Sequence, residues 1–394
     1  MNATRTATEL LHLPTYRAAV GEWLTENSSR LDRWRVHHET VEQTVAEHAE
    51  LVAVLYEAGW NRYGWPELSG GLGGDERHRA VLYDELVLRG LPIPEQHLPL
   101  ETLAPPLLRF APTLAATYLP RLLAGREWWG QGFSEPEAGS DLASLRSRAR
   151  RDGDRYVVNG QKIWTSHGAT ATRLVVLLRT GTPESRHRGL GMFLIDADAP
   201  GVTVRPLALA SGRNELAEIF FDDVVVPADR LIGEEDGGWA VAMYLLQWER
   251  AMFAWQCSTA LLHRLGGLRD ALAGAAAVPD GAAAELARRY LDVLTLRART
   301  ARTVRRLAAG ETVGPEASVD KILLATAEHG VYDAIRDLRA PAMAVGLAGP
   351  AGPDPGMTGL RAEWWYSRSA TILGGSAEVQ RGILADRILN LPKE

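Results

Sequence analysis

Two stretches hold residues whose types and spacing can do chemistry. In LLQWERAMF, residues 245–253, a carboxylate stands among apolar neighbours. On a helix, Glu249 shares its face with Leu245 and Leu246 behind and Met252 and Phe253 ahead, a stripe on which a solvated glutamate does not normally sit. A carboxylate drawn out of water in this way suits a general base, or one half of a structural ion pair with Arg250 or another arginine. In QGFSEPEAGSD, residues 131–141, small residues and turn formers let backbone N–H groups approach whatever lies against them. Such a turn suits an anion or the polar edge of a ring; it also suits a plain β-turn whose hydroxyls satisfy local backbone.

The elements that must position these residues divide into three parts. Residues 1–125 read as helical, with Val41, Val45, Val52 and Leu55 on one face of a helix over 41–60 and a Gly-rich turn opening an amphipathic helix over 70–90. That glycine loop is not a phosphate cradle, because no Gly-Lys-Ser/Thr follows it. Residues 126–235 change texture. RYVVNGQKIW (155–164) predicts two strands joined at an Asn159-Gly160 hairpin turn. RLVVLLRT, GMFLIDA, VTVRPLAL and EIFFDDVVVP add short strands, making a compact β domain. Residues 236–394 return to helix over 238–272, 282–310 and 319–345, then a Gly/Pro loop at 347–359 and a last helix broken at Gly374-Gly375. The expected fold is α+β and multidomain: an N-terminal helical domain, a middle β-barrel-like domain and a C-terminal four-helix bundle.

Composition narrows the function. A chain of 394 residues, 46% hydrophobic and 23% charged, is an ordinary soluble globular protein with room for a large core. A net charge of −6 gives no electrostatic footprint for nucleic acid. Cys257 stands alone, so the sequence offers no intramolecular disulfide and no metal cluster. No apolar run is long enough to span a bilayer, and MNATRTATELLHL lacks the apolar core of a signal peptide. The expectation is a cytoplasmic protein with no metal, no membrane and no nucleic-acid partner.

QGFSEPEAGSDLASLRSRARRDGDRYVVNGQKIWTS (131–166), GEEDGGWAVAMYLLQWER (233–250) and ILGGSAEVQRGILADRILNLP (372–392) stand in order along the chain. Together they resemble the acyl-CoA dehydrogenases, and the resemblance covers nearly the whole sequence. It implies an FAD-dependent enzyme that removes an α-proton and a β-hydride from an acyl thioester and passes electrons to an electron-transfer flavoprotein. By this resemblance Phe133 and Ser134 meet the flavin pyrimidine. Gly139 and Ser140 lie near the phosphates or the pantetheine arm. Trp164 stacks on the ring, with the Ser166 hydroxyl facing N5. Ser376 and Glu378 reach the adenosine half. The alternative for Trp164 is a plain core residue.

Many relatives carry the catalytic glutamate just before the Gly-Ser/Thr pair, where this chain has Gly374. Another branch carries it in a Glu-Arg pair on the first bundle helix, and Glu249-Arg250 is such a pair. The resemblance therefore makes Glu249 the base, puts Arg250 beside the substrate, and leaves Gly374 to donate its N–H to the thioester carbonyl. A glycine there also frees volume beside the α-carbon, so branched or bulky acyl groups are expected. The family's Arg-x-x-Phe-Gly segment, which reaches the neighbouring subunit's FAD, has no counterpart in LGGLRDALAGAAAVPDGAAAELARRY, and no Gln-x-x-Gly-Gly element is recognisable around 334–352. A homodimer or homotetramer, or a heteromer, is expected. A carrier-protein thioester substrate, an oxidase or monooxygenase on the same fold, and a non-catalytic partner subunit are the alternatives.

Overall fold

The structure, a computed structural model, describes residues 10–36, 40–275, 277–339, 348–349, 352–353 and 355–392. The end of the helix expected over 319–345 and part of the 347–359 loop lie outside these residues. Helices come first: α1 (Leu13–Glu26), α2 (Ser28–Leu31), α3 (Val41–Glu57), α4 (Glu76–Leu88), α5 (His97–Phe110) and α6 (Pro112–Leu123). Thr40 starts α3 with a capping box to Gln43, and Val41, Val45, Val52 and Leu55 are all buried as their spacing predicts. The glycine turn before α4 packs tightly on Trp65: a Cβ on Gly71 would overlap the Trp65 carbonyl.

The middle of the chain forms an eight-stranded sheet. Its strands are β1 (Trp129–Gly132), β2 (Arg148–Asp152), β3 (Arg155–Ser166), β4 (Arg173–Arg179), β5 (Leu190–Asp196), β6 (Val202–Leu207), β7 (Leu216–Pro227) and β8 (Leu231–Ile232). They lie in the order β6-β7-β3-β2-β4-β5-β8, with β1 pairing parallel to β4. Leu174, Val176 and Leu178 of β4 pack inward with Tyr156, Phe193, Ile219 and Phe221 from both halves of the sheet, which makes the domain barrel-like. Val175, Leu177, Met192 and Leu194 face the other way, onto Leu100, Leu103 and Leu107 of α5. Burial on both faces is why β4 reads as an uninterrupted apolar run, each such side chain contributing about 1.5–3 kcal/mol.

One expectation fails here. Asn159-Gly160 is not a hairpin turn, for β3 runs straight through it and the β2–β3 turn falls at Gly153. The dipeptide forms a bulge against β7 instead. Gly160 is needed because a Cβ there would stand 2.3 Å from Ser147 Oγ, and the Asn159 amide exchanges hydrogen bonds of 2.9 Å with the side chain and backbone N–H of Asp223. An Asn-Gly pair supplies the backbone freedom a bulge requires as readily as that of a turn.

The bundle consists of α7 (Gly238–Ala273), α8 (Ala282–Ala308), α9 (Ala317–Leu338), α10 (Pro355–Ser367) and α11 (Ala377–Arg387). The 36-residue α7 is apolar on most faces because it crosses several cores. Leu245 joins the cluster over the sheet, Met252 meets Tyr83 and Val304, and Leu261, Leu265 and Leu268 pack with α8 and α9. The break between α10 and α11 falls at Gly374-Gly375, with φ of 64° and 88°.

Candidate active site

The site is assembled from the middle of α7, the α10–α11 break, the start of α9 and the end of β3. The Glu249 carboxylate lies directly against Gly374. Its Oε1 stands 2.8 Å from the point a Cβ on Gly374 would occupy, and its buried Oε2 has no hydrogen-bond partner among the described residues. The volume expected to be free for the acyl group beside Gly374 is therefore filled by the carboxylate. The left-handed backbone at Gly374 leaves its N–H, and that of Gly375, with no acceptor among the described residues. Arg250 is half-buried, its Nε unpartnered and its Nη2 4.0 Å from a Cβ on Gly375. Burial pulls the Arg250 pKa down and the Glu249 charge opposes this.

A side chain that the sequence reading passed over completes this group. Lys321 on α9 is buried, donates from Nζ to the Ala370 carbonyl at 2.8 Å, and has its Cε 3.6 Å from the Gly374 Cβ position. Burial lowers its pKa, against the charges of Glu328 and Glu249. Glu328, two turns along α9, has its carboxyl pushed up to about 7 by burial, with Lys321 and Arg368 opposing.

The motif at 131–141 is held by a second buried lysine. Lys162, fully buried on β3, donates to Glu135 Oε1 at 2.7 Å and to the Phe133 carbonyl at 3.1 Å. Glu135 also accepts the N–H groups of Arg146 and Ser147 at 2.6 and 2.9 Å. Glu135 and Ala138 exchange backbone hydrogen bonds across the turn, and the Ser134 carbonyl accepts from Ile163. Phe133 is buried, Ser134 half-buried, and Gly139 and Ser140 are exposed, with open space around Gly139. The register of β3 slips between Lys162 and Thr165, so Trp164 adopts φ of 65° and projects with 55% of its surface exposed. Trp164 is therefore not core. Ser166 is half-buried at the strand end. Ser376 caps α11, its Oγ accepting from the Val379 N–H at 3.3 Å, and Glu378 is exposed beside Arg381.

The structure thus gathers Glu249, Arg250 and Gly374 in one place, and Phe133, Ser134, Gly139 and Ser140 on one turn. A further polar set is drawn from all three parts of the chain. His167, next to Ser166, has Nε2 3.5 Å from Glu95 Oε2, and its N–H donates to the Glu215 carbonyl. Burial works against the Glu95 charge, yet His167, His48 and Arg213 hold its carboxyl down to about 2. Tyr366 on α10 is raised by burial and by the charges of Glu215, Glu95 and Glu328. None of these groups carries a local motif; their proximity is a property of packing. Lysine usage was the one readable signal: Lys162, Lys321 and Lys393 are the only lysines among 43 basic residues.

Comparison with known proteins identifies the family. Residues 130–224 match the acyl-CoA dehydrogenase middle domain and 236–389 the C-terminal domain. The chain is 34% identical over 388 residues to the acyl-CoA dehydrogenase IpdE1 of Mycobacterium tuberculosis, covering 96% of this chain and 98% of the relative. Among solved structures it resembles the Tcur3481-Tcur3483 steroid ACAD, with TM-score 0.80, 26% identity and 97% and 98% of the two chains covered. It shares its fold with the ChsE4-ChsE5 complex of Mycobacterium tuberculosis, with TM-score 0.79, 24% identity and coverage of 98% and 100%. The chain belongs to the acyl-CoA dehydrogenase family, oxidoreductases acting on acyl-CoA.

Proposed function

We propose that the protein catalyses FAD-dependent α,β-dehydrogenation of an acyl-CoA with Glu249 as the base. The observation that carries this reading is the Glu249 carboxylate packed against Gly374, whose N–H has no acceptor among the described residues. The residues present fit the cofactor. Trp164 stands out from its strand, the 134–140 turn is braced from beneath and open above, and Ser376 and Glu378 begin a helix beside the break. Phe133, Ser134, Gly139, Ser140, Trp164, Ser166, Ser376 and Glu378 would hold FAD, which when bound would supply the acceptor for the β-hydrogen and its electron pair. Glu249 takes the α-proton. The Gly374 N–H donates to the thioester oxygen, where negative charge grows as the proton leaves, and Arg250 flanks the same edge. A bulky acyl group is supported by the likeness to a steroid ACAD.

The experiment is anaerobic bleaching of the oxidised flavin band by a panel of acyl-CoAs. Glu249→Gln keeps shape and removes basicity, so FAD stays bound while reduction slows by about two to four orders of magnitude. Wild-type rates in that variant would place the base elsewhere. Fast reaction of the reduced enzyme with oxygen marks an oxidase instead of a partner of electron-transfer flavoprotein, and reduction only by carrier-protein thioesters changes the substrate class.

Assembly is part of the proposal. Ile372 before the last helix and Ile388, Leu389 and Leu391 after it are exposed, apolar surface suited to a subunit interface. With the Arg-x-x-Phe-Gly segment absent, a second, different chain is the natural donor of the missing FAD contacts, and the ChsE4-ChsE5 complex is a complex of this fold named for two components. Light scattering of co-expressed chains should show a dimer or tetramer. An FAD-replete monomer is the contrary result.

A further inference from the structure

An interior carboxylate with part of its surface open has room for a hydrogen-bond donor. Glu95, in the turn before α5, is such a group. Burial is the strongest influence on its carboxyl, yet 36% of the side chain is exposed, so that surface opens onto an interior space. Its oxygen stands 3.5 Å from His167 Nε2, the long limit for a hydrogen bond, and its backbone N–H donates to His48 Nδ1 at 3.2 Å. His167 is fixed in turn. It is 8% exposed, adopts φ of 49°, donates its N–H to the Glu215 carbonyl at 2.6 Å, and packs edge-on with Trp128 at 4.9 Å between ring centres. The Glu215 carboxylate is paired with Arg213 at 2.9 Å. Glu95 is therefore held in place with accepting capacity to spare.

The helices place this carboxylate at the far end of a cleft that starts at the Gly374 turn. Glu249, Phe253 and Cys257 recur at four-residue spacing on α7, and Lys321 and Glu328 at seven-residue spacing on α9, so each set runs along one face. Lys321 Cε lies 3.6 Å from the Gly374 Cβ position, which fixes the near end. Cys257 lies about 12 Å of helix beyond Glu249. There burial raises its thiol, and the carboxylates of Glu328 and Glu95 both lie within reach of it. Phe253, Cys257, Glu328 and Tyr366 are half-buried like Glu95, as the walls of a cleft are. A plain hydrocarbon tail ending here would take water from Glu95 and return no hydrogen bond, and a terminal carboxylate would meet Glu95, Glu215 and Glu328.

We infer that Glu95 is a specificity-determining residue: its carboxylate accepts a hydrogen bond from an uncharged hydroxyl at the far end of a bulky acyl group. The inference rests on the reading of the protein as an acyl-CoA dehydrogenase with Glu249 as its base, and adds the chemistry of the acyl group.

The test compares two thioesters on one holoenzyme, assembled with any partner subunit it needs. One is cyclohexylbutanoyl-CoA; the other carries a hydroxyl on the ring carbon opposite the chain. The ratio of their kcat/KM values, from anaerobic flavin reduction, cancels differences in folding and FAD content between variants. Wild type should prefer the hydroxylated thioester by about 10–100-fold, the worth of a hydrogen bond to a charged acceptor. Glu95→Leu should bring the ratio to one or below. Glu95→Gln keeps the shape and a weaker acceptor, and should give an intermediate ratio. A wild-type ratio near one, or a ratio that neither substitution changes, overturns the inference. So does failure of both thioesters to reduce a flavin that other acyl-CoAs reduce, an outcome that leaves the dehydrogenase reading standing. If no acyl-CoA reduces it, the dehydrogenase reading itself has failed. Should Glu95→Leu not fold, the wild-type and Glu95→Gln ratios decide.

Discussion

Two lysines are buried among the described residues, and their surroundings differ. Lys162 in the sheet has a carboxylate at 2.7 Å, a carbonyl at 3.1 Å, and a partner whose remaining lone pairs accept backbone N–H groups. Every polar atom of that pair is accounted for, and burial brings the lysine down only to about 8 against the pull of Glu135. Lys321 in the bundle has one carbonyl in contact and its carboxylates further off, and beside it Glu249 Oε2 and Arg250 Nε have no partner. A closed network fixes a shape. An open one leaves charges and hydrogen-bonding capacity for something that arrives later. The sheet thus supplies a braced turn, and the bundle an edge with polar atoms left unpartnered.

The largest effect should come from breaking the closed pair. Lys162→Met leaves Glu135 buried without its cation, which costs about 3–5 kcal/mol. Urea midpoints should fall accordingly and FAD should be lost from the 131–141 turn. Lys162→Met with Glu135→Leu should recover most of that stability, since the lone charge is gone. A single variant within about 1 kcal/mol of wild type would show the pair is not what braces the turn.

Next in size is an insult to the open region. Gly374→Ala sets a methyl group against Glu249 Oε1 and imposes a left-handed backbone on an L-residue, at about 1–2 kcal/mol. Flavin reduction should slow by about 5–30-fold with FAD retained, because the cost falls on the placement of the base. Unchanged reduction would mean that the carboxylate does not work from this position.

The smallest effect is a pH dependence of the bundle between about pH 5 and pH 7. The Glu328 carboxyl is raised by burial from 4.5 to about 7 in the folded protein. Between those values the folded state holds more proton than the unfolded state, so stability falls as pH rises through this window. Allowing for solvent near a half-buried group, the loss is about 1–2 kcal/mol. Glu328→Gln should flatten the urea midpoint between pH 5 and pH 8. If stability instead rises across that range, the burial of Glu328 has been misjudged.

Sequence by itself determined the order helix, sheet, helix, because hydrophobic period is a local property and Val41, Val45, Val52 and Leu55, or the run in β4, announce it without help. It also singled out Glu249, since a charge on an apolar stripe is visible within nine residues. Local reading misassigned Asn159-Gly160 because the same dipeptide serves a bulge or a turn, and only the partner strand β7 decides which. Tertiary structure alone brought Glu249 against Gly374 across 125 positions of chain, filled the space that glycine seemed to vacate, and set Lys321 beside both. Those contacts arise where α7, α9 and the α10–α11 break converge. Packing fixes which faces of separate helices meet, and no periodicity within a single segment records that choice.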